Sequence, residues 1–199
     1  NWKKYFNPIA VGEKLLIRPS WRDDYDPQGR IVLNIDPGLA FGTGSHETTR
    51  LCLEMCEKYM KKGDKVLDVG CGSGVLGIAS LLMGAESAVG VDIDDVAVRT
   101  AKENAGINGV ADRFTGICGS FTDKVTGKYD IVLANIVADA IMFLSKGVKD
   151  FMKDDAVYIM SGIIDTRAEE VKESVGKDFD IIEEHLEKGW VCLAAKAKK

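Results

Sequence analysis

Residues 66–74 read Val-Leu-Asp-Val-Gly-Cys-Gly-Ser-Gly, and this stretch decides the fold. An apolar strand runs directly into a loop with glycine at positions 70, 72 and 74, which lets the backbone turn sharply and approach a ligand closely. The next predicted strand ends in the acidic run 91–94, where the carboxylate of Asp92 can accept two hydrogen bonds from a ribose diol. This order of elements indicates a nucleotide site.

The spacing of the glycines distinguishes between two kinds of nucleotide. The dinucleotide fingerprint has its third glycine three residues after the second, so that a pyrophosphate lies on the helix N-terminus. Here Val75 occupies that position, and Asp68 would repel a pyrophosphate but suit a cation. S-adenosylmethionine carries a sulfonium and an ammonium and no phosphate. We therefore expect it, and not NAD or FAD, to be bound by Asp68, Gly70, Gly72 and Asp92.

Composition narrows the class of protein. The 199 residues suit one domain with at most a small appendage, and the sequence contains no apolar run that could span a membrane. A net charge of −5 argues against binding nucleic acid through bulk electrostatics. The five cysteines are expected to be reduced core residues of a cytoplasmic protein, and two distant histidines make a metal site improbable.

The order of predicted elements indicates an α/β fold. Residues 1–36 contain strand-like runs at 14–18 and 30–35 and are expected to form lead-in strands or a linker before the nucleotide-binding domain at 37–199. Within that domain, strands alternate with helices, which predicts a parallel sheet covered on both faces, and the chain ends in an antiparallel hairpin. The predicted strands are 65–69, 87–92, 113–118, 129–135, 155–161, 179–186 and 190–195, and the predicted helices are 46–62, 75–83, 95–107, 138–152 and 166–176.

Two further motifs lie outside the glycine loop. Residues 41–49 read Phe-Gly-Thr-Gly-Ser-His-Glu-Thr-Thr, and residues 134–138 read Ala-Asn-Ile-Val-Ala at the end of a predicted strand. In an open α/β sheet, ligands bind beyond the carboxyl ends of the strands. We therefore expect Asn135 to point into the same crevice as Gly70 and Asp92.

Taken together, these motifs resemble the PrmA family, methyltransferases that modify protein eleven of the large ribosomal subunit. The pattern DPGLAFGTGxHxTT is followed in order by DVGCGSG, VDID and ANIxA, and the resemblance covers nearly the whole chain. It implies a class I methyltransferase fold, which is Rossmann-like with a mostly parallel seven-stranded sheet, a C-terminal antiparallel hairpin and helices on both faces. It also implies that an N-terminal substrate-recognition domain precedes most of this chain.

The resemblance further implies the site and the partners. Thr49, Gly70, Asp92 and Asn135 would contact S-adenosylmethionine, with S-adenosylhomocysteine as the product. The substrate would be lysine side-chain or N-terminal amines of large-subunit protein eleven, and neither nucleic acid nor a membrane is an expected direct partner. Glu47 and Ser120 depart from the family pattern, which has proline and often an acidic residue at these positions.

The chemistry of methyl transfer suggests one catalytic residue. The side-chain carbonyl of Asn135 can accept a hydrogen bond from the target amine and direct its lone pair, whereas His46, so near a helix start, is expected to be a cap or a packing contact. Asn135 could instead cap a turn and Asp92 could cap the next helix, although Asp94 and Asp95 are better placed for that.

Three other functions stay open on the residues alone. The first is a methyltransferase of the same fold that acts on RNA or a small molecule. The second is a nicotinamide-dependent oxidoreductase, which the glycine spacing and Asp68 disfavour. The third is a module that binds the cofactor without catalysis.

Overall fold

The computed structural model describes residues 7–36 and 46–199, which form two sheets and the helices that cover them. A small sheet contains β1 (Ile9–Val11), β2 (Leu15–Arg18) and β3 (Ile31–Asn34). The large sheet contains β4 (Lys65–Val69), β5 (Ser87–Asp92), β6 (Phe114–Cys118), β7 (Tyr129–Asn135), β8 (Met152–Ile164), β9 (Phe179–Glu187) and β10 (Trp190–Ala197).

The large sheet has seven strands in the order β6-β5-β4-β7-β8-β10-β9. Strands β4 to β8 are parallel to one another, and β10 runs antiparallel to both β8 and β9. The predicted α/β class, with a mostly parallel seven-stranded sheet and a C-terminal antiparallel hairpin, is confirmed.

Helices cover both faces of this sheet. They are α1 (His46–Tyr59), α2 (Val75–Leu82), α3 (Asp95–Ile107), α4 (Ala138–Ser145) and α5 (Ala168–Val175). Because side chains alternate along a strand, Val66 and Ile131 pack in the core under α1, α2 and α3, whereas Leu67 and Val132 pack in the core under α4 and α5. The apolar strands of the sheet are thus buried on both sides, as parallel sheets require.

The small sheet shares the core of the first face. Its strand β1 is antiparallel to β2, and β2 is parallel to β3. Leu15, Ile17 and Leu33 are fully buried in the same apolar cluster as α1 and α2. The carboxylate of Glu57 on α1 accepts hydrogen bonds from the backbone amides of Glu13 (2.9 Å) and Lys14 (3.3 Å). The strand-like runs predicted within residues 1–36 are therefore packed against the helices of the large sheet.

Most predicted elements are confirmed within two or three residues, but the helix predicted over 138–152 is wrong. Helix α4 ends at Ser145 before Lys146 and Gly147, a short 3₁₀ turn spans Val148–Phe151, and β8 begins at Met152. Glycine lowers helix propensity, and the buried Val148 and Met152 are held by the core in a different path. The pairing of β7 with β8 also shifts between Tyr129 and Ile131, which makes β8 longer than predicted.

The cysteines are reduced, and four of the five are buried in the core as expected: Cys52, Cys56, Cys71 and Cys192. The prediction is wrong for Cys118, which is exposed at the end of β6. Burial raises the pKa of the Cys56 thiol to about 12, so this group is inert at neutral pH. Across the described ranges, no helix is both long and apolar enough to cross a bilayer.

A polar cluster joins helix α1 to the outer strand β9. The carboxylate of Glu183 accepts hydrogen bonds from Lys58 and Tyr59 of α1 and also contacts His185. The hydrogen bond from Lys58, followed by that from Tyr59, lowers the pKa of Glu183 to about 2. A carboxyl group with a lowered pKa stabilises the fold above its unfolded pKa, and that contribution is lost as the pH falls through the folded value.

We expect Glu183→Gln to reduce the free energy of unfolding at pH 7 by about 1–3 kcal/mol, because the charge-assisted bonds to α1 are weakened. The difference from the parent should shrink as the pH falls from about 5 towards 2. Urea denaturation at pH 7 and pH 3.5 measures it, and Glu173→Gln on the exposed side of α5 is the matched control. Equal losses in both variants, or a difference that does not depend on pH, would contradict the assignment.

Candidate functional site

A pocket of about 290 Å³ opens at the carboxyl ends of β4 and β5, beside the turn that follows β7. The chain leaves β4 towards β5 and β6 on one side and returns to β7 and β8 on the other, so the pocket lies where the strand order reverses. It is lined mainly by apolar side chains: Val69, Gly70, Val91, Asp92, Ile93, Gly119, Phe121, Ile136 and Ala140. Of these lining residues, Asp92 alone carries a charge.

A larger groove of about 1140 Å³ lies at the opposite pole, where β8 begins and the C-terminal strand ends. Its walls alternate lysines and aspartates, including Lys153, Asp154 and Lys196. Open α/β sheets bind ligands at the carboxyl ends of their strands, so size alone does not make this groove the candidate site.

Gly70 allows the first turn of the pocket. Its φ is +78°, and a Cβ at this position would lie 2.6 Å from Cγ2 of Ile136. A side chain would therefore be strained by both its backbone conformation and this contact. The turn of β4 and the turn of β7 can approach each other because position 70 is glycine.

Asp92 is held by the glycine loop and by its own turn. Its carboxylate accepts hydrogen bonds from the backbone amides of Gly72 (2.9 Å) and Asp94 (3.0 Å). The side chain of Asp94 accepts from the amide of Val96 and is the N-cap of α3, which confirms that Asp94, and not Asp92, caps this helix. The Asp92 carboxylate is thus fixed in orientation at the pocket wall, with lone pairs left for a ligand.

Asp68 lies beneath the pocket and does not line it. Its side chain is fully buried, and neither carboxylate oxygen makes a hydrogen bond of normal geometry within the described residues. Burial, reinforced by the charge of Asp92, raises the pKa of Asp68 to about 7, although the amide of Gly77 opposes this rise. Asp68 therefore reaches the pocket only through its electric field.

Asn135 meets helix α1 at the end of β7. Its Nδ2 donates a hydrogen bond to Oγ1 of the buried Thr49 at 3.3 Å. The next residue, Ile136, donates its amide to the carbonyl of Ser161 (3.1 Å), and the Ser161 hydroxyl donates to the carbonyl of Thr48 (2.7 Å). The first turn of α1 is thus bonded to the ends of β7 and β8, and within residues 7–36 and 46–199 no group donates a hydrogen bond to Oδ1 of Asn135.

Gly162 supports this arrangement, and our sequence reasoning gave it no role. Its φ is +86°, and a Cβ here would lie 2.7 Å from the Ile136 carbonyl oxygen and 3.0 Å from Oδ1 of Asn135. The sequence signal was a Ser-Gly pair that interrupts an apolar strand, a pattern typical of a close approach of two backbones. The aromatic pair at the pocket wall was also not predicted: the rings of Phe121 and Phe143 lie with centroids 4.7 Å apart and planes tilted at 48°.

The structure brings most of the predicted residues together. Gly70 and Asp92 line one pocket, Gly72 holds Asp92, and Asn135 is hydrogen-bonded to Thr49 beside Ile136 of the pocket wall. Residues 41–45 of the glycine-rich motif and the side chain of His46 lie outside the described residues.

Comparisons with known proteins agree on one family. A family model described as Ribosomal protein L11 methyltransferase (PrmA) matches residues 1–198. A protein named ribosomal protein L11 methyltransferase from Clostridium perfringens (strain SM101 / Type A) is 44% identical over 200 residues, which cover 100% of this chain and 63% of that protein. The chain therefore spans somewhat less than two thirds of the length of this relative.

Two solved structures are similar in fold. A crystal structure of ribosomal protein L11 methylase from Lactobacillus delbrueckii subsp. bulgaricus has a TM-score of 0.90 at 32% identity, covering 98% of this chain and 100% of that chain. An RNA methyltransferase from Salinibacter ruber, solved in complex with S-adenosyl-L-homocysteine, has a TM-score of 0.62 at 17% identity, covering 75% of this chain and 92% of that chain. At this identity the second likeness shows the fold alone.

We expect Gly70→Ala to destabilise the protein by about 2–4 kcal/mol, from the positive φ and from the contact with Ile136. Gly29→Ala is the matched control, because Gly29 also has a positive φ (+82°) but no atom within 4 Å of its Cβ position. Its cost should be about 1–2 kcal/mol. Thermal and urea denaturation measure both.

A double-mutant cycle separates the two causes at position 70. In an Ile136→Ala background, the additional cost of Gly70→Ala should fall to that of Gly29→Ala. An unchanged cost in that background would show that the contact between the two turns is unimportant.

Proposed function

We propose that this chain, which belongs to the ribosomal protein L11 methyltransferase (PrmA) family, is an S-adenosylmethionine-dependent N-methyltransferase. Its proposed substrates are the lysine side-chain or N-terminal amines of ribosomal protein L11. The resemblance noted from its motifs is confirmed by the family match over residues 1–198. The observation that carries the proposal is the pocket: an apolar slot with a fixed carboxylate, Asp92, beside the acceptor group of Asn135. We place the activity in the cytoplasm.

The pocket suits a nucleoside that carries no phosphate. Ile93 and Phe121 offer apolar surface for a base, and Asp92 offers an oriented acceptor for a ribose diol. Gly70 allows close approach at the turn of β4. The described lining contains no cation for a pyrophosphate, and the buried Asp68 adds negative potential that favours a positively charged ligand. These features support S-adenosylmethionine over a dinucleotide.

When bound, S-adenosylmethionine would supply a methyl group on a sulfonium. Attack of an unprotonated amine nitrogen on the methyl carbon would form the C–N bond as the C–S bond breaks, with S-adenosylhomocysteine as the leaving group. The protein must present that amine unprotonated, and for a free lysine at pH 7 this costs roughly 4.6 kcal/mol. Negative potential from Asp92 would oppose deprotonation, so the amine needs an acceptor that does not itself carry charge. Oδ1 of Asn135 is such an acceptor, because Nδ2 of the same amide is bound to Thr49. Positioning by this group is expected to supply most of the rate.

The test is the intact mass of purified ribosomal protein L11 after incubation with this chain and S-adenosylmethionine, with calorimetry on the same sample to measure cofactor binding. A gain of whole methyl units supports the proposal. Cofactor binding together with methyl transfer to RNA, and none to L11, would overturn the substrate. Absence of cofactor binding would overturn the proposal as a whole.

Asp92→Asn should weaken the binding of S-adenosylmethionine by about 10- to 100-fold, since a charge-assisted pair of hydrogen bonds is lost. Asp94→Asn is the matched control two residues away, because asparagine caps a helix as well as aspartate does. Titration calorimetry compares the two. Equal affinity in both variants would remove Asp92 from the ribose site.

Asn135→Ala should lower kcat by about 100-fold or more, with a much smaller change in cofactor affinity, because the acceptor for the amine is lost. Thr49→Val keeps the asparagine but removes the hydroxyl that holds it, and a smaller loss of about 10-fold is expected. Single-turnover mass spectrometry measures both. Methylation by Asn135→Ala at the parent rate would contradict the assignment.

A further inference from the structure

A buried asparagine of helix α3 is hydrogen-bonded to the glycine loop. Asn104 is 6% exposed, and its Nδ2 donates a hydrogen bond to the carbonyl oxygen of Ser73 at 2.9 Å. The neighbouring buried positions of this helix are apolar, among them Ala101 and Ala105. A buried amide is costly unless it is bonded, and asparagine is a poor helix former, so this residue serves a contact outside its own helix.

One turn further on, Asn108 bonds the end of α3 to the small sheet. Its Oδ1 accepts from the backbone amide of Asn34 (2.8 Å), and its Nδ2 donates to the backbone carbonyls of Asn34 (3.0 Å) and Asn104 (2.8 Å). The side-chain amide thus pairs with the last residue of β3 through both its donor and its acceptor, as a neighbouring strand would. Asn34 and Asn108 are 74 positions apart in the sequence.

The glycine loop is therefore held from two sides. On the side of β5, the amides of Gly70 and Cys71 donate to the carbonyl of Val91 and the amide of Gly72 donates to Asp92. On the side of α3, the carbonyl of Ser73 accepts from Asn104. The loop contains three residues with positive φ, at positions 70, 72 and 74, and such a backbone keeps one conformation only when its surroundings fix it.

We propose that Asn104 and Asn108 are positioning residues of the cofactor site, which couple strand β3 of the small sheet to the glycine loop through the end of helix α3. This inference rests on the proposed function, because the loop they hold is the one assigned to S-adenosylmethionine. Neither side chain lines the pocket, so their effect passes through the loop. The small sheet is then part of the support of the site.

The first experiment measures affinity. Asn104→Asp replaces the donor to Ser73 by an acceptor of the same shape, and it should weaken S-adenosylmethionine binding by about 10-fold, because the loop must be ordered when the ligand binds. Asn108→Ala should weaken binding by a smaller factor. At saturating cofactor, kcat should stay within about twofold of the parent in both variants, since the amine-binding group is untouched.

The matched control is Ser145→Ala. It also removes a buried side-chain bond to a backbone carbonyl, that of Ile141, but on the opposite face of the sheet. It should cost stability without changing cofactor affinity. If Asn104→Asp and Asn108→Ala bind the cofactor as tightly as Ser145→Ala, the inference is wrong.

Hydrogen exchange without ligand tests the coupling separately from the proposed function. Asn104→Asp should speed exchange at residues 70–74 and leave residues 31–35 unchanged, whereas Asn108→Ala should speed exchange in both segments. Exchange unchanged at 70–74 in both variants overturns the inference, even if the parent binds no cofactor. Should Asn104→Asp fail to fold, Asn108→Ala, which leaves the Ser73 bond in place, carries the same test.

Discussion

Two glycines enclose Ile136, and the site depends on this contact. A Cβ at Gly70 would lie 2.6 Å from its side chain, and a Cβ at Gly162 would lie 2.7 Å from its carbonyl oxygen. The turns that follow β4 and β7 and the backbone of β8 at Gly162 therefore meet where positions 70 and 162 admit no residue larger than glycine. Because β4 lies between β5 and β7, Asp92 at the end of β5 and Asn135 at the end of β7 lie on opposite sides of the turn that follows β4. The same close contacts therefore fix both the arrangement of the strand ends and the geometry of the pocket.

Strands of the sheet interior were predictable because local sequence and tertiary context agree there. The bounds of β4, β5 and β7 match their predictions residue for residue, since buried parallel strands are short apolar runs bounded by glycine or charged residues. The end of helix α4 was predicted wrongly because the apolar periodicity continues past Gly147 to Val148 and Met152. The core holds these two residues in a 3₁₀ turn and a strand. Strand β1, with three residues, is too short to show any period.

The candidate site was predictable only where a residue type implies its chemistry. Gly70, Asp92 and Asn135 follow strands, and the rule that strand ends share one edge was enough to place them together. Sequence could not give the depth of a side chain: Asp68 is fully buried and does not line the pocket, and its part in cofactor binding stays a prediction. Nor could it give contacts between distant positions. The contacts of Asn104 with Ser73 and of Asn108 with Asn34 have no local signature, and the Ser-Gly pair at Gly162 does not identify Ile136 as its partner.

Two unfavourable features of the described chain lie at or beneath the pocket: the buried carboxyl group of Asp68 and the positive φ values of the glycine loop. An ionised carboxylate in a dry interior without hydrogen bonds of normal geometry costs several kcal/mol. Burial raises the pKa of Asp68 to about 7, so the group is partly protonated at neutral pH and the cost is smaller. A core built for stability alone would replace Asp68 by an apolar residue, as at Val66 and Leu67 of the same strand. What this replacement would remove is negative potential beneath a pocket whose described lining holds no cation. Stability is thus given up at Asp68, beneath the pocket in which, on the function proposed above, a positively charged nucleoside would gain from the negative potential.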